Sequence, residues 1–233
     1  MKIEVIDEAW QQARRCESCG IRELVLFADL NKADFDLIHH PITELEFKTN
    51  EYLFKAGDQA DYVYTLRSGL IKLVKFTDDG RQRIVRLLSQ GDLVGIEALD
   101  NQPYAHYAEV LDTALVCRIP IVEIESISQR SPRLYRQLMA RWSKVAMDAD
   151  FWIEELSSGS AQARVVHLLL YLASLSKKDE FYLPSREDMG AMLAITTETA
   201  SRIIARLRSE GILRVLGTNQ ALADERSLRS LVQ

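Results

Sequence analysis

The residues best suited to chemistry lie near the C-terminus, in the stretch Ala194 to Leu213. Apolar and polar side chains recur there at helical spacing, which predicts an amphipathic helix that ends at Gly211. The apolar face comprises Ile195, Ala200, Ile203, Ile204, Leu207 and Ile212. The polar face comprises Thr196, Thr197, Glu198, Ser201, Arg202 and Arg206.

This polar face has the residue types that read base edges in the major groove of DNA. Arg202 can donate two hydrogen bonds to guanine, Glu198 can accept from cytosine N4, and Ser201 can adapt to either role. A carboxylate repels phosphates, so Glu198 favours base readout over nonspecific binding. The other interpretation is an ordinary amphipathic helix with a solvated charged face.

A second short helix is predicted just upstream, over Ser185 to Leu193, with Ser185 as its N-cap. Two helices joined by a turn of about three residues form a helix-turn-helix, whose second helix enters the major groove. The net charge of −5 argues against nucleic acid, but from Ser160 onward ten Lys/Arg face eight Asp/Glu. The C-terminal part is therefore the basic part of the chain.

The three cysteines form a second group with chemical capacity. Cys16 and Cys19 form a C-x-x-C, and Cys117 lies about a hundred residues away. We expect a cytoplasmic protein, since neither a signal peptide nor a membrane span is evident. Structural disulfides are disfavoured in that compartment, which leaves metal ligation or thiol redox chemistry.

The elements that must position these residues begin with a β-rich region at 44–120. It contains five of the ten glycines, and Asp79-Gly80 is a strong hairpin signal. The predicted strands are 52–54, 62–66, 70–76, 83–88 and 107–119. Many short strands separated by turns indicate a sandwich or jelly roll.

A long helix is predicted next, because Ser131 supplies an N-cap and Pro132 the first helical position. Its apolar residues follow near-heptad spacing, which favours a homodimeric coiled coil over a helix packed only on its own domain. These predicted interface residues are Leu134, Leu138, Trp142, Val145, Ala149, Trp152 and Leu156. After the helix-turn-helix, residues 213–223 are predicted to form a two-stranded wing.

The order of β-roll, long helix and winged helix-turn-helix resembles the CRP/FNR family of bacterial transcription regulators, most closely its FNR branch. The motifs that carry the resemblance are Phe54–Asp58, Arg67–Gly69, Gly91–Gly95, Val116–Pro120 and Glu198–Arg202. The implied fold class is α+β, with a cyclic-nucleotide-binding-like β-roll. The implied parts are an arm at 1–42, a β-roll sensor domain at 43–122, a dimerisation helix at 123–158 and a DNA-binding domain at 159–233.

The resemblance also implies partners. FNR-type proteins read inverted TTGAT half-sites through Glu-x-x-Ser-Arg, which Glu198, Ser201 and Arg202 match. Double-stranded DNA, a second copy of this chain and RNA polymerase are thus the expected partners. We further expect Thr196, Thr197, Arg206 and Ser185 to contact DNA.

What the protein senses is less well specified. The stretch that corresponds to the cyclic AMP phosphate site, Tyr104 to Tyr107, has no arginine, which argues against cyclic AMP. FNR binds a [4Fe-4S] cluster through four cysteines; Cys16, Cys19 and Cys117 match three, and Val25 stands at the fourth position. The alternatives are a cluster with a non-cysteine fourth ligand, a thiol pair or relic without metal, and zinc.

The sequence therefore predicts a DNA-binding regulator that responds to a redox, oxygen or small-molecule signal. The competing hypothesis is a redox or small-ligand sensor whose helix-turn-helix contacts protein. An enzyme is disfavoured, because the histidines have no catalytic or metal-ligating spacing and no glycine-rich phosphate loop opens a helix.

Overall fold

The computed structural model describes Leu26 and residues 42–176 and 179–232. It divides into two compact units. One unit contains the chain up to Val74 together with Leu87–Ala146, and the other contains Lys75–Arg86 together with Met147–Gln233. The predicted N-terminal arm, including Cys16, Cys19 and Val25, lies outside the described residues apart from Leu26 and Ile42.

The first unit is built on a six-stranded antiparallel sheet with the order β1-β6-β3-β4, in which β2 pairs with β6 and β5 with β3. The strands are β1 Thr43–Phe47, β2 Tyr52–Phe54, β3 Tyr62–Phe76, β4 Gln82–Leu88, β5 Leu93–Val94 and β6 Tyr107–Pro120. Fully buried Leu66, Ile71, Leu87 and Ile119 form part of its core.

Two strands predicted separately, 62–66 and 70–76, form the single strand β3. The ladder between β3 and β6 is irregular between Leu66 and Ile71. Gly69 lies within this irregularity at φ 93°, and a Cβ there would come within 2.4 Å of the Thr113 carbonyl oxygen. The glycine that indicated a turn instead permits close approach of two strands.

Helix α1 spans Ile121–Ser128, and helix α2 spans Pro132–Phe151. A π-helical segment, Trp152–Leu156, continues directly from α2. The predicted start at Pro132 is present, whereas residues 121–128 form a separate helix. Residues 129–131 divide the two because Pro132 has no N–H and disfavours a helical conformation at Ser131.

The remaining elements belong to the second unit. They are α3 Ala161–Leu175, β7 Glu180–Tyr182, α4 Arg186–Leu193, α5 Thr197–Ser209, β8 Leu213–Val215, β9 Gln220–Ala223 and α6 Glu225–Ser230. The three strands form an antiparallel sheet with β9 in the centre. Apolar residues of α3, α4 and α5 form a common core, which includes Val165, Leu168, Met189, Met192, Ala200 and Leu207.

The predicted fold class is confirmed: a β-roll, helices and a C-terminal winged helix-turn-helix are all present. Within the described residues, no helix is long and apolar enough to cross a membrane.

Candidate nucleic-acid interface

The turn between α4 and α5 depends on two small residues. Ala194 adopts a left-handed conformation at φ 52° and ends α4. Gly190 lies within α4, where a Cβ would come within 2.8 Å of the Ile195 carbonyl oxygen. The turn therefore packs directly on the helix backbone. Sequence reasoning missed Gly190, although a glycine inside a helical pattern is the signal for such a close approach.

Both helices begin at predicted hydroxyl caps. The Asp188 backbone N–H donates to Ser185 Oγ at 3.0 Å, and that hydroxyl donates to Asp188 Oδ2 at 2.9 Å. The Thr199 backbone N–H donates to Thr196 Oγ1 at 3.2 Å. Two residues expected at the DNA therefore also fix where the helices start. Each remains exposed, at a helix end that attracts phosphate.

Helix α5 has the two faces that the sequence predicts. Ala200, Ile203, Ile204 and Leu207 are buried. The predicted reading residues are all exposed: Thr197, Glu198, Ser201, Arg202 and Arg206. Because side chains four positions apart lie on one side of a helix, Glu198 and Arg202 are neighbours on the exposed surface.

Glu198 is prepared to act as a hydrogen-bond acceptor. The backbone N–H groups at the start of α5 and the Thr196 hydroxyl lower the pKa of its carboxyl group. The positive end of the helix dipole acts in the same direction. Glu198 therefore carries a negative charge at neutral pH, as acceptance from cytosine N4 requires.

A basic residue not singled out from the sequence lies at the first position of α4. Burial, and secondly the charge of Arg208, lower the pKa of the Arg186 guanidinium. Arg186 is therefore close to Arg208, one of the arginines that follow the recognition face. Its position directly after the N-cap Ser185 was the available sequence signal. Arg206 Nε is 3.7 Å from Glu210 Oε1, an exposed pair too weak to remove the arginine from a phosphate.

The predicted wing is formed by the antiparallel pair β8 and β9. Leu213 pairs with Ala223 and Val215 with Ala221, and the Leu216 N–H donates to the Gln220 carbonyl at 2.9 Å to close its tip. Arg214 is exposed on β8. This strand thus adds a positive charge to the same unit as the recognition helix.

Helix α2 has an exposed apolar stripe that differs from the predicted interface. Leu134, Leu138, Trp152 and Leu156 are buried within the chain, so they offer almost no surface to a second copy. The exposed residues at heptad spacing are Tyr135, Met139, Trp142, Ala146, Ala149 and Ile153. The predicted seam is therefore corrected by about one residue, because its leucines pack within the chain; Trp142 and Ala149 belong to both sets.

The β-roll carries aromatic side chains at the position where the family resemblance implies a cyclic nucleotide phosphate would lie. The Tyr104 ring stacks on Phe54 with centroids 3.7 Å apart, and its hydroxyl donates to the Tyr62 carbonyl at 2.6 Å. A Cβ at Gly95 would come within 2.7 Å of the Tyr104 ring. Glu97 is 3.5 Å from His106 and provides a negative charge there. This corner therefore has no space beside Gly95 and disfavours an anion.

Of the predicted ligands, only Cys117 falls in the part of the chain that the structure describes. It is a half-buried cysteine on β6, paired in register with Glu44 of β1 and Thr65 of β3. Among the described residues, no three side chains of the metal-ligating types lie together. One cysteine alone does not form a cluster site.

Comparisons with known proteins agree with this architecture. A family model described as a cyclic nucleotide-binding domain matches residues 44–131, and one described as a Crp-like helix-turn-helix domain matches residues 163–231. Neither match covers the arm that carries Cys16 and Cys19.

Similar proteins cover nearly the whole chain. An "Anaerobic regulatory protein" of Pasteurella multocida is 33% identical over 88% of this chain and 78% of its own length. A "Transcriptional activator protein FnrA" of Stutzerimonas stutzeri is 31% identical over 95% of this chain and 93% of its own. The solved structure of FixK2 from Bradyrhizobium japonicum is 27% identical, with a TM-score of 0.74 over 82% of this chain and 96% of that one.

Proposed function

This chain belongs to the CRP/FNR family of transcription regulators, and we propose that it binds an inverted TTGAT-like repeat in double-stranded DNA as a homodimer. The observation that carries the proposal is the exposed face of α5, where Glu198, Ser201 and Arg202 lie opposite a buried apolar face. Polar side chains kept in solvent on a rigid helix are available to a DNA duplex without prior rearrangement.

The roles within the interface follow from chemistry. Arg202 forks onto guanine O6 and N7, Glu198 accepts from cytosine N4, and Ser201 bonds to an adjacent base. Thr196, Thr197, Ser185 and Arg206 contact the phosphate backbone and fix the register of the helix. The helix ends near Ser185 and Thr196 supply N–H groups to the same phosphates.

The exposed stripe of α2 supports the homodimer. Large apolar side chains rarely stay in water along one line of a helix, and Tyr135, Met139 and Trp142 are 56%, 44% and 44% exposed. Their heptad spacing matches a second copy of the same helix. A twofold dimer also presents two recognition helices to an inverted repeat, with half-sites one helical turn apart.

We propose that the signal is a redox change, oxygen or a small molecule other than a cyclic nucleotide. The Tyr104 ring beside Gly95 and the negative charge of Glu97 support the exclusion. Cys16, Cys19 and Cys117 are the proposed metal or thiol site, with Val25 leaving one ligand to be supplied from elsewhere. Contact with RNA polymerase follows the family.

A titration of DNA tests the output function. The full chain is bound to a labelled duplex with an inverted TTGAT repeat at 50 and 200 mM salt, beside a scrambled duplex of equal length. We expect tighter binding to the repeat and an affinity that falls by about 10³ or more across this range, since several phosphates are contacted on each half-site. Equal, salt-independent binding to both duplexes would instead indicate a helix-turn-helix that contacts protein.

Metal analysis tests the input function. The protein is purified under strict anaerobiosis, and its iron and acid-labile sulfide are measured per chain together with its absorbance. Near-equal iron and sulfide of about four each indicate a [4Fe-4S] cluster. Zinc without sulfide indicates a tetrahedral thiolate site. Metal-free protein leaves two alternatives, a thiol-redox pair and a relic without metal.

A further inference from the structure

Two arginines from different elements meet at the C-terminus of α4. Arg83 Nη1 donates to the Ala191 carbonyl at 3.1 Å, and Arg164 Nη1 donates to the Leu193 carbonyl at 2.5 Å. The Ile195 N–H donates to the Gly190 carbonyl at 3.3 Å. The carbonyl groups that close this helix are therefore held partly by side chains from outside it.

The electrostatics of the helix end favour this arrangement. The last carbonyls of a helix have no partner within it and carry partial negative charge, so a cation beside them is stabilised. Burial, and secondly the charge of Arg164, lower the pKa of the Arg83 guanidinium. Two guanidinium groups thus lie close together despite their repulsion, because both have acceptors at the helix end.

The two arginines come from different parts of the chain. Arg164 lies on α3 of the DNA-binding region, whereas Arg83 lies on β4, near the tip of the β3–β4 hairpin. Residues 75–86 of this hairpin belong to the second unit, while β4 continues from Leu87 into the first. The bond from Arg83 to the Ala191 carbonyl therefore lies within the second unit, where it ties the hairpin to the backbone just before the recognition helix.

The hairpin leaves the reading face open. A cleft of about 1360 Å³ lies between Phe76–Arg83 on one side and Ala194–Thr199 on the other. Arg83 bonds to a backbone carbonyl, not to a base-reading side chain, and Glu198, Ser201 and Arg202 stay exposed. The contact thus holds the backbone of the turn and leaves the side chains of the α5 face exposed.

We propose that Arg83 is a positioning residue through which the β3–β4 hairpin holds the helix-turn-helix turn in its DNA-reading arrangement. The inference rests on the proposed function for its effect on DNA, but not for its effect on the turn. Loss of Arg83 removes one of the two guanidinium groups from the end of α4, so the turn at Ala194 opens more often. Base preference is unchanged, because Arg202 and its neighbours are untouched.

Hydrogen exchange of the full-length protein tests the effect on the turn. In Arg83→Gln, we expect the amides of residues 190–199 to exchange roughly threefold to tenfold faster, the factor expected when one net hydrogen bond is lost. Arg83→Lys keeps the charge and should recover part of the protection. Arg81→Gln is the matched control, since Arg81 lies in the same hairpin, is 84% exposed and pairs with Asp79 rather than with α4.

DNA titration on the inverted repeat completes the test. Arg83→Gln should raise the dissociation constant about threefold to tenfold with the same ranking of single-base variants, and Arg81→Gln should leave that ranking and the exchange unchanged. Unchanged exchange in Arg83→Gln overturns the positioning role. If Arg83→Gln exchanges faster but the wild-type protein binds no DNA, the positioning role is supported and the proposed function is overturned.

Discussion

The recognition helix and the interior of the β-roll treat their polar groups in opposite ways. On α5, Glu198, Ser201 and Arg202 are exposed on the face that does not pack on the core. In the β-roll, Lys72 Nζ lies 3.1 Å from Glu109 Oε1 with both side chains largely buried, and the Tyr104 hydroxyl donates to a backbone carbonyl. Helix α5 thus keeps these polar groups in solvent, whereas Lys72, Glu109 and the Tyr104 hydroxyl of the β-roll are paired within the chain.

This difference has a consequence for signalling. A duplex gains the hydrogen bonds of the α5 face with little rearrangement of the protein, since the face is already in solvent. A small molecule that entered the β-roll would have to replace buried bonds that already exist, at a cost of roughly 1–3 kcal/mol for each buried group left unpaired. For that reason the proposed redox signal at the cysteines has the lower expected cost in broken buried hydrogen bonds.

The largest expected effect comes from breaking the buried ion pair. Lys72→Met removes the cation from the largely buried Glu109 carboxylate, which still accepts from the Tyr52 hydroxyl at 3.2 Å. We expect a loss of about 3–5 kcal/mol in the free energy of unfolding, measured by urea denaturation. Lys72→Met combined with Glu109→Gln should recover most of this loss, because no charge then remains buried.

The exposed pair Arg81–Asp79 is the control for that change. Arg81→Gln should alter the free energy of unfolding by less than about 1 kcal/mol, since solvent screens both groups. A loss in Lys72→Met no larger than this control would contradict the view that the β-roll depends on internal pairing.

The next largest effect concerns DNA binding by α5 and should leave the free energy of unfolding unchanged. Arg202→Ala removes the bidentate contact to guanine, so specific binding should weaken by about 1–3 kcal/mol with relaxed preference at one base pair. Fluorescence anisotropy on a set of single-base variants measures both. Arg226→Ala, which removes an exposed charge from α6, should not relax preference at any position. Uniform weakening on every duplex by Arg202→Ala would remove Arg202 from base readout.

The sequence predicts the helix-turn-helix better than the contacts of the β-roll, for a physical reason. Helical spacing in 194–213, the caps Ser185 and Thr196 and the stop at Gly211 are local signals, and the structure contains all of them. The exposed face of a helix can also be predicted without knowing which elements pack against the opposite face. The contact between Arg83 and Ala191 joins residues 108 positions apart, so no local sequence pattern predicts it.

The interface on α2 shows the same limit. Leu134 and Trp142 both fit a near-heptad pattern, but a pattern of apolar residues does not say which of two adjacent stripes faces the chain's own core. Burial of Leu134 and Leu138 within the chain assigns one stripe to that core, and Tyr135, Met139 and Trp142 on the adjacent stripe stay exposed. The predicted stripe and the exposed stripe differ by about one residue for that reason.

A smaller effect is expected from the hydroxyl that closes the β-roll corner. Tyr104→Phe keeps the ring stacked on Phe54 but leaves the Tyr62 carbonyl without its 2.6 Å donor. We expect a loss of about 1 kcal/mol in the free energy of unfolding by urea denaturation. Thr218→Val is the control, because it removes an exposed hydroxyl at the tip of the wing. Equal values for the two variants would mean that the buried hydroxyl contributes no more than a solvated one.

The smallest effect concerns acid and the pair of Glu97 with His106. Burial raises the pKa of the Glu97 carboxyl group, but the His106 imidazole and backbone N–H groups outweigh it, so the pKa is lowered overall. A carboxyl group whose pKa is lower in the folded state stabilises the fold above its ordinary value of 4.5 and loses that contribution as the pH falls below it. Glu97→Gln should therefore reduce the loss of stability as the pH falls below 4.5, while costing less than about 1 kcal/mol at pH 7. Urea denaturation at several pH values measures this, with Glu125→Gln on the exposed face of α1 as the matched change. If both variants respond to acid like the wild type, Glu97 is solvated as freely as the carboxylate on the recognition helix, and the contrast between the two regions does not extend to this corner of the β-roll.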